Sequence, residues 1–230
     1  GVLLIKATFP DHSSMLMIGS PGIGMLEFAV SIAKDWMEAN NMVLFVTVDL
    51  LPSDLLDIMN SFGVDKEVLG KNLFIIDYHS SLLGSFDNST NCQGTEIRKV
   101  SDLEGIMFNI STLADSTDRP VKIIIHSLST LFLYNQANVV LKFFQISSSR
   151  IRNEFGTAFF TIHEGVHDEK TVNHLMAIAD GVLELRFDEE LNRRMRIRNM
   201  RGCITSSQWI PYEIRQVQQP GEGQSLLEWR

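Results

Sequence analysis

The sequence has 230 residues, of which 44% are hydrophobic, 9% aromatic and 21% charged. A chain of this length and composition fits one α/β domain with a sizeable core, and it excludes a disordered tail or a fibre. The net charge of −8 and the isoelectric point near 5.2 argue against binding to nucleic acid or anionic membranes through overall charge. Cys92 and Cys203 give neither a disulfide framework nor a metal-ligand spacing, so we expect a cytoplasmic protein.

No segment of the sequence predicts a membrane span or an export signal. The most apolar window, residues 15–33, contains Pro21, three glycines and Glu27, whereas a span needs about 20 nearly unbroken apolar residues. Residues 1–10 have no basic region before their apolar residues and no small-residue cleavage site after them. We therefore expect no membrane partner.

Apolar runs alternate with amphipathic stretches along most of the chain, after an apolar edge segment at residues 2–7. Continuous β-branched and aromatic runs are typical of strands buried in a parallel sheet, and apolar residues at i, i+3, i+4 and i+7 indicate helices. Residues 79–95 are polar and are predicted to be a loop. In chain order we predict strand 14–18, helix 25–39, strand 43–48, helix 52–61, strand 73–77, helix 102–114, strand 121–125, helix 137–153 and strand 157–162.

From Gly181 onward the hydrophobic pattern has a period of two, which predicts a hairpin. Its turn spans residues 188–190, and its second strand alternates arginines with Met195 and Ile197. Residues 206–214 are predicted to form the last strand.

The parallel core is therefore expected to end near residue 162. The predicted fold class is an α/β domain over residues 1–216, with a central, mostly parallel sheet flanked by helices and a C-terminal antiparallel β extension. Residues 217–230 are predicted to be a solvated tail.

The turn between the first strand and the first helix is close to a phosphate-binding loop. The pattern G-x-x-x-x-G-K-[S/T] is matched at both glycines and missed at the last two positions. A lysine there would hold the β- and γ-phosphates and a hydroxyl would hold magnesium, and Met25 and Leu26 supply neither. Backbone amides could still attract an anion, so we expect no cofactor, or Mg-ATP bound only weakly. The loop residues are Gly19, Ser20, Pro21, Gly22, Ile23, Gly24, Met25 and Leu26. An ordinary glycine-rich turn is the alternative explanation.

Four further segments along the chain each end a predicted strand or contain a short motif. Residues 44–50 end a strand in Asp49, and residues 121–129 end a strand in His126 followed by Ser-Leu-Ser. Residues 159–164 end in His-Glu, and residues 178–185 contain Ala-Asp-Gly-Val. With the glycine turn, these segments resemble the KaiC-like branch of the RecA superfamily of P-loop ATPases, over residues 13–214.

The resemblance implies a RecA-like P-loop fold and shows which catalytic parts are replaced. The family has two catalytic glutamates where this sequence has only Asp49, and a magnesium-associated aspartate where it has His126. Residues 199–202 resemble the Lys-x-Arg-Gly element that reaches a neighbouring subunit's phosphate, with Arg201 kept and the lysine absent. Because phosphoryl transfer depends on these charged groups, we interpret the protein as a pseudo-ATPase that acts as a regulatory or assembly partner. The vestigial catalytic positions are Asp49, His126, His163 and Glu164.

A site rebuilt for other chemistry is an alternative interpretation. Ligands bind at the carboxyl ends of parallel strands, and Asp49, His126 and His163 each end a predicted strand. If the family's strand order holds, the strands of the two histidines are neighbours, and these three residues would suit zinc or a transition metal. Otherwise the histidines only fill space and form hydrogen bonds. A weak or atypical nucleotide-binding ATPase is a further possibility.

Arginines are concentrated between residues 186 and 201, where the hairpin is predicted. Alternation places three of them on one strand face, which could contact a protein partner or another copy. It could instead bind nucleic acid, as an accessory protein related to recombinase paralogues would, or pair with the acids at residues 188–190 as a solvated face. No aromatic residues are interleaved as stacking platforms, which disfavours nucleic acid. The interface candidates are Arg194, Arg196, Arg198 and Arg201.

Overall fold

The computed structural model describes residues 9–84 and 96–214, and within these ranges nine strands form one sheet. The strand order is β4-β3-β2-β5-β6-β1-β7-β8-β9. Neighbouring strands are parallel from β4 to β7, and β8 and β9 continue the sheet antiparallel. The strands are β1 (Ser14–Gly19), β2 (Met42–Thr47), β3 (Leu73–Asp77), β4 (Ile97–Lys99), β5 (Val121–His126), β6 (Gly156–His163), β7 (Gly181–Phe187), β8 (Arg193–Met200) and β9 (Ile210–Pro211).

Helices cover both faces of the sheet. In chain order they are α1 (Met25–Glu38), α2 (Pro52–Ser61), α3 (His79–Leu82), α4 (Leu103–Ala114), α5 (Leu128–Tyr134), α6 (Ala137–Arg150) and α7 (Glu169–Ile178). A short 3-10 helix (Lys66–Val68) follows α2, and a π-helical turn (Ile151–Phe155) follows α6.

The two hydrophobic cores lie on opposite faces of this sheet. Met15 and Met17 of β1 face α1 and α2, whereas Leu16 and Ile18 face the layer that contains α4, α5, α6 and α7. Each central strand is buried on both faces, which is why its sequence is a continuous apolar run. Because β1, β2, β5 and β6 run parallel to one another, their carboxyl ends meet at one edge of the sheet, where the candidate site lies.

Side-chain caps begin three of the helices on one face. The carboxylate of Asp102 accepts a hydrogen bond from the backbone N–H of Gly105 at the start of α4, and the hydroxyl of Ser127 does the same for α5. Asp168 caps α7 in the same way. Each cap satisfies a backbone donor that the first helical turn leaves without a partner.

The predicted fold class is confirmed, and the helix at Pro52–Ser61 and the strand at Leu73–Asp77 have the predicted bounds. The expectation that the parallel core ends near residue 162 is wrong, because β7 pairs parallel with β1. The last strand is also shorter than residues 206–214, since only Ile210–Pro211 pairs with β8. The predicted helix 137–153 changes to a π-helical turn at residue 151.

Several predictions concern residues outside the described ranges. The edge segment at residues 2–7, the tail at residues 217–230 and Cys92 lie outside them, and the division into a domain and a tail stays a prediction. Of the predicted loop at residues 79–95, the first part forms α3 and residues 85–95 lie outside the description. None of the described helices combines the length and the apolar character that crossing a bilayer requires.

Candidate functional site

The glycine turn between β1 and α1 has the geometry of a tight strand-to-helix loop. Gly22 and Gly24 have φ angles of 77° and 86°, in the left-handed region that favours glycine. The N–H of Ile23 donates to the carbonyl of Ser20 at 3.1 Å, and the carbonyl of Gly24 starts the helical hydrogen bonds of α1. All eight predicted loop residues, Gly19 to Leu26, therefore lie in one turn.

Met25 fills the space beneath this turn. Only 4% of Met25 is exposed, and its Sδ would lie 2.9 Å from a Cβ atom placed on Gly19. Leu26 packs against the core on the same side. At the two positions where the pattern has lysine and a hydroxyl, this protein therefore has apolar packing.

Residues from distant parts of the chain contact the turn. The carbonyl of Ile23 accepts hydrogen bonds from Arg193 Nε at 2.9 Å and from the Tyr212 hydroxyl at 3.5 Å. Burial raises the pKa of Tyr212 above its ordinary value. Ile214 packs directly on Gly24, where a Cβ atom would collide with its side chain. The second hairpin strand and the segment after β9 thus cover part of the loop.

A cavity of about 310 Å³ remains beside the turn. The backbone of the loop forms one wall, and the side chains of His126, His163, Glu27 and Arg193 contribute to the others. This volume is at the lower end of the range for small-molecule pockets, roughly 300–1,000 Å³. Arg193 is the cationic side chain among the residues that line it.

Asp49 and His126 meet at the carboxyl ends of β2 and β5. The carboxylate of Asp49 accepts hydrogen bonds from the backbone N–H and the hydroxyl of Ser127, at 2.9–3.2 Å. His126 Nε2 lies 3.6 Å from Asp49 Oδ2, and Nδ1 lies 2.8 Å from Thr161 Oγ1. Burial lowers the pKa of His126 to about 4, while Asp49 opposes this shift and His163 adds to it. The imidazole is therefore neutral at neutral pH.

His163 ends β6 and Glu164 follows it, and β6 lies next to β5 as the family's strand order predicts. The N–H of His163 donates to Ser129 Oγ at 2.9 Å, and His167 Nε2 lies 2.9 Å from the same oxygen. Burial, followed by the charge of His163, lowers the pKa of His167. Glu164 accepts a hydrogen bond from Ser20 of the loop at 2.8 Å. It also pairs with Arg186 at 2.5 Å, so the loop serine already has an anionic partner within the chain.

The proposed metal ligands come near one another without forming a coordination site. The ring centres of His126 and His163 are 6.4 Å apart, with Asp49 beside His126. Across residues 9–84 and 96–214, no group of three His, Cys, Asp or Glu side chains is arranged to hold a metal ion. The metal alternative therefore gains no support from this geometry.

The candidate interface arginines form ion pairs within the chain. Arg194 pairs with Asp188 at 2.8 Å across the hairpin, as the solvated-face alternative predicts. Arg196 and Arg198 both pair with Glu184, which is only 1% exposed. Arg201 pairs at 2.9 Å with Asp180, a buried carboxylate that also binds Arg152.

An aromatic side chain does lie among these arginines, although the sequence showed none interleaved with them. The guanidinium of Arg196 lies 4.5 Å from the ring centre of Trp209, and that of Arg186 lies 5.7 Å from it. Both distances fit cation–π contacts. Trp209 lies after the hairpin in sequence and reaches the arginines only because the chain runs back alongside β8 towards β9.

The fold and the turn together define a class. A strand, a glycine turn and a helix at the centre of a mainly parallel sheet, with side chains gathered at the carboxyl ends of neighbouring strands, are typical of P-loop α/β proteins. The family described as "ATPase: KaiC" matches residues 3–219, and the chain therefore belongs to the KaiC ATPase family. The predicted resemblance is confirmed.

Two relatives agree with this assignment. A Thermotoga maritima protein described as a UPF0273 protein is 23% identical over 233 residues, covering 96% of this chain and 93% of that protein. The crystal structure of a KaiC-like protein from Pyrococcus horikoshii OT3 matches with a TM-score of 0.70 and 21% identity, covering 91% of this chain and 89% of that one. At this level of identity, the second match shows a shared fold.

Proposed function

We propose that this KaiC-family protein does not hydrolyse ATP and acts through protein contacts, as a regulatory or assembly partner or by self-association. The observation that carries the proposal is the buried Met25 side chain beneath the turn, at the position where a phosphate loop has its lysine. A thioether cannot balance the charge of a triphosphate, and the neighbouring Leu26 cannot hold its magnesium ion.

The side chains at the strand ends support the same proposal. Phosphoryl transfer is catalysed by positioning and by charge neutralisation, through magnesium ligands and an acid that orients water. His126 is buried and neutral where the family has an acid, and the remaining acid, Asp49, is engaged by Ser127. Four parts of one catalytic arrangement therefore differ from the family: the lysine, the magnesium-binding hydroxyl, the magnesium-associated aspartate and one of the two glutamates.

Thermal unfolding with and without Mg-ATP tests the proposal. A ligand at one hundred times its dissociation constant adds about 2.7 kcal/mol of stability. For a domain of this size each kcal/mol moves the midpoint by about 2–4 °C, so an occupied nucleotide site would raise it by roughly 5–11 °C. We expect almost no change, and we expect no phosphate release. A shift in that range together with steady turnover would refute the proposal.

Restoring the missing groups provides the matched comparison. The double variant Met25→Lys, Leu26→Thr should gain affinity for Mg-ATP, because the turn keeps its loop geometry. The control Met25→Leu, Leu26→Thr changes the same positions without adding a charge, and it should not gain affinity. Equal behaviour of the two variants would show that the absent lysine is not what limits binding.

Nucleotide binding without turnover is a second candidate function. It is favoured by the cavity beside the turn and by Arg193, which lines that cavity. In that case Arg193→Gln should remove the thermal shift caused by Mg-ATP. The nucleic-acid alternative has less support, because the hairpin arginines are already paired with carboxylates of the same chain. A gel shift that persists at physiological salt would favour it.

A further inference from the structure

A groove runs between α4 and α6 on the face of the sheet away from α1 and α2. Its volume is about 660 Å³, roughly twice that of the cavity beside the glycine turn. Leu103, Met107 and Phe143 form an apolar floor and are only 7–8% exposed. None of the residues that line the groove belongs to the glycine turn or to the strand ends around His126.

The walls of this groove carry large apolar side chains that are open to solvent. Phe108 of α4 is 68% exposed, and Val139 and Ile146 of α6 are both more than 40% exposed. A cluster of exposed apolar side chains around a concave surface indicates an interaction site. The projecting Phe108 and the recess over Phe143 lie on the same surface, so this face has both a protruding apolar side chain and an apolar recess.

The charges on this face have both signs. Glu104 on α4 and Lys142 on α6 are exposed, and neither forms an ion pair within the described part of the chain. Arg150 is already engaged, because it pairs with Glu154 and donates to Ser111 Oγ at 2.9 Å, which links the two helices at one end of the groove. A surface that binds an acidic or basic ligand would carry unpaired side chains of one charge. A surface that pairs with a copy of itself needs unpaired side chains of both charges.

We propose that the α4–α6 face pairs with the same face of a second copy across a two-fold axis. A two-fold contact uses one patch twice, so each residue that contacts another is itself contacted by the equivalent one. Phe108 of each copy enters the groove of the other, and Glu104 of each copy faces Lys142 of the other. The inference rests on the self-association part of the proposed function and gives it a surface, without requiring any particular state of the glycine turn.

The area of the α4–α6 face determines the affinity that we expect for the dimer. A 14-residue helix is about 21 Å long, and two helices side by side are about 20 Å wide, which gives roughly 400 Å² per copy. A standard stable interface buries about 800 Å² per partner, and smaller interfaces are weak and transient. We therefore expect a reversible dimer with a dissociation constant in the micromolar range.

Sedimentation velocity of the full chain, from about 1 to about 300 μM, measures this equilibrium. Phe108→Glu should weaken dimerisation at least tenfold, because it places a charge in the partner's apolar groove. The control is Leu133→Glu on α5, which changes an apolar side chain that is 76% exposed and does not line the groove. It should leave the dissociation constant unchanged.

Charge reversal tests the two-fold arrangement itself. Glu104→Lys and Lys142→Glu should each weaken the dimer, since each places like charges opposite one another. The double variant should restore it. A chain that is monomeric throughout the concentration range would overturn the proposal, as would a dimer unaffected by Phe108→Glu or a double variant that stays weak. Because none of these readouts involves nucleotide, failure here is distinct from failure of the Mg-ATP test.

Discussion

The buried imidazole of His126 should make the protein less stable in acid, and His126→Gln should remove that part of the pH dependence. Burial lowers the pKa of His126 from 6.5 to about 4, so the folded protein keeps the ring neutral while the unfolded chain takes up a proton below pH 6.5. The stabilisation is therefore complete above about pH 6.5 and is lost as the pH falls towards 4. One pKa unit corresponds to about 1.36 kcal/mol, which gives a loss of about 2 kcal/mol by pH 5 and about 3 kcal/mol by pH 4.

Urea unfolding at pH 7.5 and at pH 5.0 measures this difference. Between these two values, the free energy of unfolding of His126→Gln should fall by about 2 kcal/mol less than that of the unchanged protein. His12→Gln is the control, because His12 is an exposed histidine, and it should follow the unchanged protein. The comparison uses only the difference between the two pH values, so any cost of the substitution at pH 7.5 does not enter. Equal pH dependence in the His126 variant and the unchanged protein would refute the reasoning.

Two further substitutions test packing and charge elsewhere in the fold. Glu184→Gln removes a buried counter-charge that contacts three arginines and should lower the free energy of unfolding by about 2 kcal/mol or more, since Arg196 and Arg198 lose their carboxylate partner beside the core. The exposed control Glu190→Gln should change it by less than about 0.5 kcal/mol, and equal urea midpoints for the two variants would contradict this. Gly156→Ala should cost more than Gly165→Ala by about 1 kcal/mol or more, because both glycines have positive φ but only at Gly156 would a Cβ atom meet a backbone carbonyl, that of Val121. Calorimetric melting of the two variants at the same midpoint would show that this contact relaxes without cost.

Some elements were predictable from the sequence because each carries a distinct local pattern. The strand at Leu73–Asp77 is a short apolar run, and the helix at Pro52–Ser61 begins at a proline suited to the first turn. Two of the missed elements, α7 and β4, lack such patterns. The helix α7 buries only Leu175 completely, and the strand β4 has three residues, none of them fully buried.

The pairing of β7 with β1 was a part of the fold that could not be predicted from the sequence. Hydrophobic period predicts that Gly181–Phe187 is a strand, but it does not reveal that this strand pairs parallel with β1. Strand order depends on how helices of a given length cross the sheet, and that information is spread over the whole chain. The expected end of the parallel core was wrong for this reason.

Some residues of the candidate site were also predictable from the sequence, and others were not. Asp49, His126 and His163 were predictable because residues that end parallel strands gather at one edge. The contacts of Arg193, Tyr212 and Ile214 with the turn were not, because these residues lie about 170–190 positions away and belong to no motif.

The same contacts change what the glycine pattern means. Gly22 and Gly24 are required by the left-handed backbone of the turn, and Gly24 is required again because Ile214 occupies the space where its Cβ atom would be. Gly19 borders the Met25 sulfur in the same way. Each of these glycines is therefore explained by the backbone conformation of the turn or by contacts within the chain, without a phosphate. The glycines alone are not evidence for nucleotide binding, and the lysine and hydroxyl positions, which only a bound nucleotide would require, are the ones that differ.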